Sequence, residues 1–182
     1  KEIIAYHEGG HALMGYKLPL ADPVLKISIV SRGMAAGYTR SVPDEDHIFY
    51  SKPQFMDQLA VALGGRVAEE LTFGQVTTGA SNDLERVTQV ARAMVTRYGM
   101  SEKLLPRTFG KREEMIFLGR EISEMRDYSE KVAQEIDDEV QNIILEAYSV
   151  CKRVIVDNFA KLDQIARFLM EHEVVEGKDL QE

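Results

Sequence analysis

Residues 5–15 read AYHEGGHALMG, and two glycines set between two histidines pose the first question about this chain. Ile3, Ile4, Ala5, Ala12, Leu13 and Met14 give the segment Ile3–Tyr16 the apolar content of a helix. Each interior glycine costs such a helix about 1 kcal/mol relative to alanine, so the site must need, or at least tolerate, the missing side chain.

Within this stretch His7-Glu8-Gly9-Gly10-His11 is an HExxH motif. Residues four apart share a helix face, so both imidazoles can aim at one ion about 2.0 Å from each nitrogen, and Glu8 can reach a water beside it. This is the arrangement of a zinc protease. Accident would produce it in roughly one in a hundred chains of this size or fewer, and two of the four histidines are spent on it.

A catalytic zinc needs a third protein ligand and an open position for water. Glu69 and Glu70 compete for that role with Asp83, which follows the loop TTGAS at the start of a later helix. Spacing leaves the choice open. A closed structural site would need a fourth ligand, and neither Cys151, His47 nor His172 has the motif spacing to supply one.

Working outward, Pro19 and Pro23 bracket a turn, and KISIV (26–30) alternates Ile27 and Ile29 as a strand does. MAAGYTRSV (34–42) reads as its hairpin partner, and PDEDHIFYSKP (43–53) as a polar loop. From Pro53 the pattern is helical. FMDQLAVALGGRVAEEL (55–71) is stopped by Phe73-Gly74, and NDLERVTQVARAMVTRYG (82–99) by Gly99. Asn82 with Glu85 reads as a capping box, which puts Asp83 in the first turn. Residues 100–121 read as irregular. A stripe of Met125, Val132, Ile136, Val140, Ile143, Ala147 and Val150 predicts one long helix over 123–156. A shorter helix, Phe159–Glu171, is expected to bury Leu162, Ile165 and Leu169 against it, with Glu176-Gly177 turning the tail. The fold class is mainly α, with a small hairpin sheet near the HExxH helix and a C-terminal helical bundle. One domain is expected over 1–182, divided into 1–99, with the motif helix, sheet and third-ligand helix, and a helical part over 100–182.

A net charge of −8 argues against nucleic acid as the main partner, because phosphate binding draws on clustered Lys and Arg. The single Cys151 excludes an intrachain disulfide and reads as a buried thiol. No run reaches the roughly 20 apolar residues of a membrane span. KEIIAYHEGG is helical in character rather than a signal peptide, so Lys1 reads as a cut point within a longer chain. No GxxxxGK[ST] loop offers a nucleotide site.

HEGGHAL, ISIVSRGMAAGYT, LGGRVAEEL, TTGASNDLERVTQVARAMV, YGMS, FLGRE and EIDDEVQNIILEAY, in this order and at these intervals, closely resemble the proteolytic domain of the FtsH family. These are membrane-anchored, ATP-dependent zinc metalloproteases of the AAA+ class. The resemblance implies that His7, His11 and Asp83 bind one Zn2+ per chain and that Glu8 is the general base. Glu69 and Glu70 then fall to the helix surface, or one of them accepts a hydrogen bond from a ligand imidazole; surface is the expectation.

The resemblance further implies unfolded protein and peptide substrates, a homo-hexamer, and ATP used only by a separate ATPase module. It implies membrane anchoring through segments before Lys1, with the protease facing the cytoplasm, or the matrix or stroma of an organelle. Extended peptides commonly pair with a strand edge, and the candidate edge runs from Gly33 to Tyr38, where the small residues Ala35, Ala36 and Gly37 would let a substrate backbone approach. The family usually has alanine where Gly9 stands and glycine at Gly10. Gly10 is therefore expected to sit against a close backbone, and Gly9 to be a local variant.

Overall fold

The computed structural model describes residues 1–31, 33, 36–43, 49–112 and 124–180. It is mainly helical, and its organising element is α1 (Glu2–Lys17), buried continuously from Ala5 to Gly15. A helix buried on every side has no polar stripe, which is why the motif segment carries small and apolar residues all round.

Four partners enclose α1. The first is α2 (Lys52–Phe73), opened by a capping box in which Ser51 accepts the Gln54 N–H while the Gln54 side chain accepts the Ser51 N–H. It is closed by Gly74 in the left-handed region, φ 67°. The crossing of α1 and α2 is very close: a Cβ on Gly10 would stand 2.3 Å from the Gly64 carbonyl oxygen and 2.7 Å from the Ala68 Cβ. Gly10 thus meets a backbone, as its sequence position suggests. A Cβ on Gly9 would meet the Ile165 and Leu162 methyls at 3.4 Å and the Ala166 backbone nitrogen at 3.9 Å, without overlap.

A three-stranded antiparallel sheet covers another side of α1. It joins β1 (Val24–Ser28) and β2 (Tyr38–Ser41), the expected hairpin pair in shortened form. Residues 34, 35 and 44–48 of the expected second strand and loop, including Ala35 and His47, lie outside the described residues. A second two-stranded pair forms from β3 (Lys111–Arg112) and β4 (Glu124–Met125), where the sequence reading had irregular chain and the start of the long helix. The expected 123–156 helix is α4 (Glu130–Asp157), because the Ser129 hydroxyl caps the Val132 N–H and Met125 is held in β4, half-exposed. The sheet's third strand, β5 (Val174–Glu176), pairs Val175 with Ile27 and gives the order β2-β1-β5. This corrects the expectation of a simple turned tail.

The remaining two partners of α1 are helices. α3 (Ser81–Thr96) and α4 pack on α2, with α4 also reaching α1. α5 (Phe159–His172) buries Leu162 and Leu169 and half-buries Ile165, but it packs chiefly on α1, where Leu162 and Ile165 lie beside Gly9, and touches the long helix of the sequence expectation only slightly. Tyr6 fastens this contact, its hydroxyl donating to Asp163 of α5 and its ring meeting Phe73 edge-on. Cys151 is fully buried in α4, and burial pushes its thiol up to about 12, so it is chemically quiet. Among the described residues no helix is long and apolar enough to cross a membrane.

Candidate metal centre

The helical repeat places His7 and His11 one turn apart on the face of α1 that borders a cleft of about 840 Å3. Their Nε2 atoms lie 3.1 Å apart. The opposite wall is made by α3. A short 3-10 turn over Thr78–Ala80 runs directly into that helix at Ser81, leaving Asp83 in its first turn. The expected Asn82–Glu85 capping box does not form, because the helix already begins before Asn82 and carries no side-chain cap. Asp83 Oδ2 stands 3.3 Å from His7 Nε2 and 3.2 Å from His11 Nε2.

Three ligand atoms therefore form a nearly equilateral triangle. Tetrahedral zinc with ligand distances of about 2.0–2.1 Å requires neighbouring ligand atoms about 3.3 Å apart, so the residues fit such an ion. Two imidazoles with one carboxylate also suit zinc chemically. His7, His11 and Asp83 form the one group among the described residues with His, Cys, Asp or Glu atoms close enough to share an ion, and no fourth such residue joins them.

The other ring nitrogens show which tautomers are held. His11 Nδ1 lies 2.8 Å from the Val61 carbonyl, which can only accept, so Nδ1 carries the proton and Nε2 presents its lone pair to the cluster. His7 Nδ1 donates to Glu69 Oε1 at 2.6 Å. Glu69 is almost completely buried, and its second oxygen accepts the Thr77 N–H at 2.7 Å. The surface expectation for Glu69 is thus corrected: it joins the histidine helix to the loop that delivers Asp83. Glu70, one residue on, turns away to accept hydrogen bonds from the Tyr148 hydroxyl at 2.8 and 2.9 Å. Gly65 makes room for the His7 ring, since a Cβ there would approach it to 2.5 Å.

The charges reinforce the geometry. Burial alone would lower the His7 pKa, but hydrogen bonds to the Asp83 and Glu69 carboxylates outweigh it and raise it. Burial would raise Asp83, yet the two histidines hold its carboxyl far below the usual range. Such a pocket attracts positive charge, whether a proton or a cation. Glu8 lies beside it, buried, with its pKa raised by that burial against the opposing pull of His11 and the Thr39 hydrogen bond. A carboxylate with raised basicity is suited to taking a proton.

Of the candidate edge residues, Ala36, Gly37 and Tyr38 line the cleft, together with Thr39, Arg40 and Ser41. Gly33, at φ 63°, is not among the lining residues, and Ala35 lies outside the described ones. Tyr6, although it neighbours His7 in the motif helix, turns its hydroxyl to Asp163 of α5. Thr39 and the Val61 carbonyl were missed as site-forming groups, whereas Glu69 takes the alternative the sequence had left to one of the two glutamates, accepting a hydrogen bond from a histidine of the motif. The pair of adjacent glutamates in AEEL was the one signal available for Glu69.

Peptidase family M41 matches residues 1–182. The chain is 54% identical over 181 residues to "ATP-dependent zinc metalloprotease FtsH 1" of Thermomicrobium roseum, covering 100% of this chain and 28% of that protein. The protein of the same name from Sphaerobacter thermophilus gives the same identity and coverage. "ATP-dependent zinc metalloprotease FtsH" of Chloroflexus aggregans is 54% identical over 185 residues, again covering 100% and 28%. The chain spans little more than a quarter of the length of these curated relatives. Matched over its whole length by the family and by these FtsH proteins, the chain belongs to peptidase family M41.

Proposed function

We propose that this chain is the zinc-dependent endopeptidase domain of an ATP-dependent protease, hydrolysing peptide bonds of unfolded or membrane proteins. The observation that carries the reading is the convergence of His7 Nε2, His11 Nε2 and Asp83 Oδ2 within 3.1–3.3 Å of one another, with buried Glu8 alongside. His7, His11 and Asp83 hold one zinc, which when bound supplies Lewis-acid polarisation of the scissile carbonyl and of the attacking water.

The chain's own groups do the rest. Glu8 takes the proton of the attacking water and returns it to the leaving amine. Glu69 and the Val61 carbonyl keep both Nδ1 atoms protonated and so keep both Nε2 lone pairs toward the cluster. The substrate backbone lies extended along the cleft side of β2, beside Ala36, Gly37 and Tyr38, where main-chain pairing makes little demand on side-chain identity. ATP use and membrane anchoring belong in this reading to segments outside the chain, and the homo-hexamer to the full-length protein, consistent with the chain's matching 28% of relatives named as ATP-dependent.

The test is metal content and casein cleavage, measured in the full-length protein, for wild type, Glu8→Gln and Asp83→Ala. Glu8→Gln is expected to keep about one zinc per chain and lose cleavage by a hundredfold or more, the scale of a lost general base. Asp83→Ala is expected to lose the metal. Zinc and activity retained in Asp83→Ala would overturn the ligand assignment, and full activity in Glu8→Gln would overturn that of the base.

A further inference from the structure

We propose that Thr39 is a positioning residue for Glu8: its hydroxyl holds the glutamate carboxylate against the metal cluster and ties it to the strand that borders the cleft. The inference rests on the reading of Glu8 as the base and extends it to a residue on a different element.

Thr39 Oγ1 lies 2.8 Å from Glu8 Oε2 and 3.1 Å from the Glu8 carbonyl oxygen. A hydroxyl carries one proton, and both neighbours are acceptors, so Thr39 is the donor in either bond. Among the described residues Thr39 is the one side chain that donates to the Glu8 carboxylate. A glutamate has three rotatable side-chain bonds, and a buried one with no donor would have neither a fixed direction nor a partner for its charge.

The rest of β2 makes Thr39 a firm anchor. Thr39 pairs with Ile27 of β1, and Ile27 is fully buried, so the two side chains share the inward face of the sheet. β1 is itself the central strand between β2 and β5, which fixes the backbone from which Thr39 projects. A β-branched side chain is stiff at χ1, which suits a residue that must aim its hydroxyl. Just upstream, a Cβ on Gly37 would come within 3.1 Å of Glu8 Cγ and 2.8 Å of Ile4 Cγ2, so the lead-in to β2 lies against the stem of the same glutamate. Stem and head of Glu8 are therefore both set by one strand segment, and that segment lines the cleft. A substrate lying along β2 meets the base in a register that β2 itself determines.

The experiment compares Thr39→Val, Thr39→Ala and Thr39→Ser in the full-length, zinc-loaded protein, with Glu8→Gln as reference. It reads kcat and KM on fluorescent casein, bound zinc and the thermal midpoint. Thr39→Val, nearly isosteric but without a donor, is expected to lower kcat about 10- to 100-fold, with KM within about twofold and zinc unchanged. Thr39→Ser is expected to recover kcat to within about fivefold of wild type. Should Val fail to fold, Ala takes its place with the same expectation.

Wild-type kcat in a folded, zinc-loaded Val or Ala variant would overturn the proposal. So would equal losses in Ser and Val, or loss of zinc in both Val and Ala, which would make the residue structural. Failure of Glu8→Gln to lose activity would instead overturn the assignment of the base, so the two readings fail by different results.

Discussion

α1 makes two long helix contacts, and they are built in opposite ways. Against α2 the backbones nearly touch, with Gly10 and Gly64 each occupying space the other's Cβ would need and Gly65 seated under the His7 ring. Against α5 the fit is looser: a Cβ on Gly9 would meet the Leu162 and Ile165 methyls at 3.4 Å and the Ala166 backbone nitrogen at 3.9 Å, without overlap. The first contact sets atomic positions in the metal cluster, because α2 contributes both the Glu69 carboxylate and the Val61 carbonyl that hold the histidines. The second buries apolar surface and tolerates small changes. Proximity in sequence says nothing of this difference: Gly9 and Gly10 are neighbours, but about 100° of helix rotation sends them to different partners.

The most severe test of the contrast is Gly10→Val. Branched carbon forced to within 2.3 Å of a backbone oxygen must push α1 and α2 apart. The expected cost is about 3 kcal/mol or more, with zinc binding lost as well. Thermal unfolding and metal content measure both, and a stable, zinc-loaded Gly10→Val would break the comparison outright.

Glu69→Gln sharpens it next. The neutral amide removes the charge facing His7 while keeping the shape, so the fold is expected to survive and zinc affinity to drop about 10- to 100-fold. Competition with a chelator of known affinity reads the change. An unaltered affinity would mean that α2 contributes packing alone.

The smallest effect is expected from Gly9→Ala. Its new methyl meets Ile165 and Leu162 without overlap, and replacing glycine inside a helix gains up to about 1 kcal/mol. The expected outcome is a thermal midpoint raised by about 2–4 °C with zinc content and cleavage unchanged. A lowered midpoint would show the α5 contact to be as exacting as the α2 contact.

The same division separates what could be read along the chain from what could not. His7, Glu8 and His11 are legible because a helix repeat alone brings them together, and Asp83 was at least a candidate because its place in a first turn is local. Choosing between Asp83 and Glu69 required knowing which ring nitrogen each carboxylate faces, and spacing carries no information about that. The adjacent Glu69 and Glu70 are equivalent as letters, yet one is buried on His7 and the other is spent on Tyr148. β5 was missed because three residues hold no measurable period, and its partner in β1 lies far away in the chain. The start of α4 was placed too early because Met125 continues the apolar stripe by coincidence, whereas β4 and the Ser129 cap decide the boundary.

By itself the sequence determined a mainly helical chain, an HExxH helix able to aim two imidazoles at one ion, and a glycine that must face another backbone. These follow from short-range geometry: the helical repeat, capping and turn chemistry, and the absence of a side chain. Asp83 was singled out by the family resemblance, and tertiary structure brought it to the two rings; tertiary structure alone decided that Glu69 and Val61 orient those rings and that Thr39 reaches Glu8 from the sheet. Each of those contacts joins residues at least 31 positions apart. Hydrogen bonds of this kind are chosen by where whole helices and strands come to rest once the apolar surface is buried, and no local pattern encodes that.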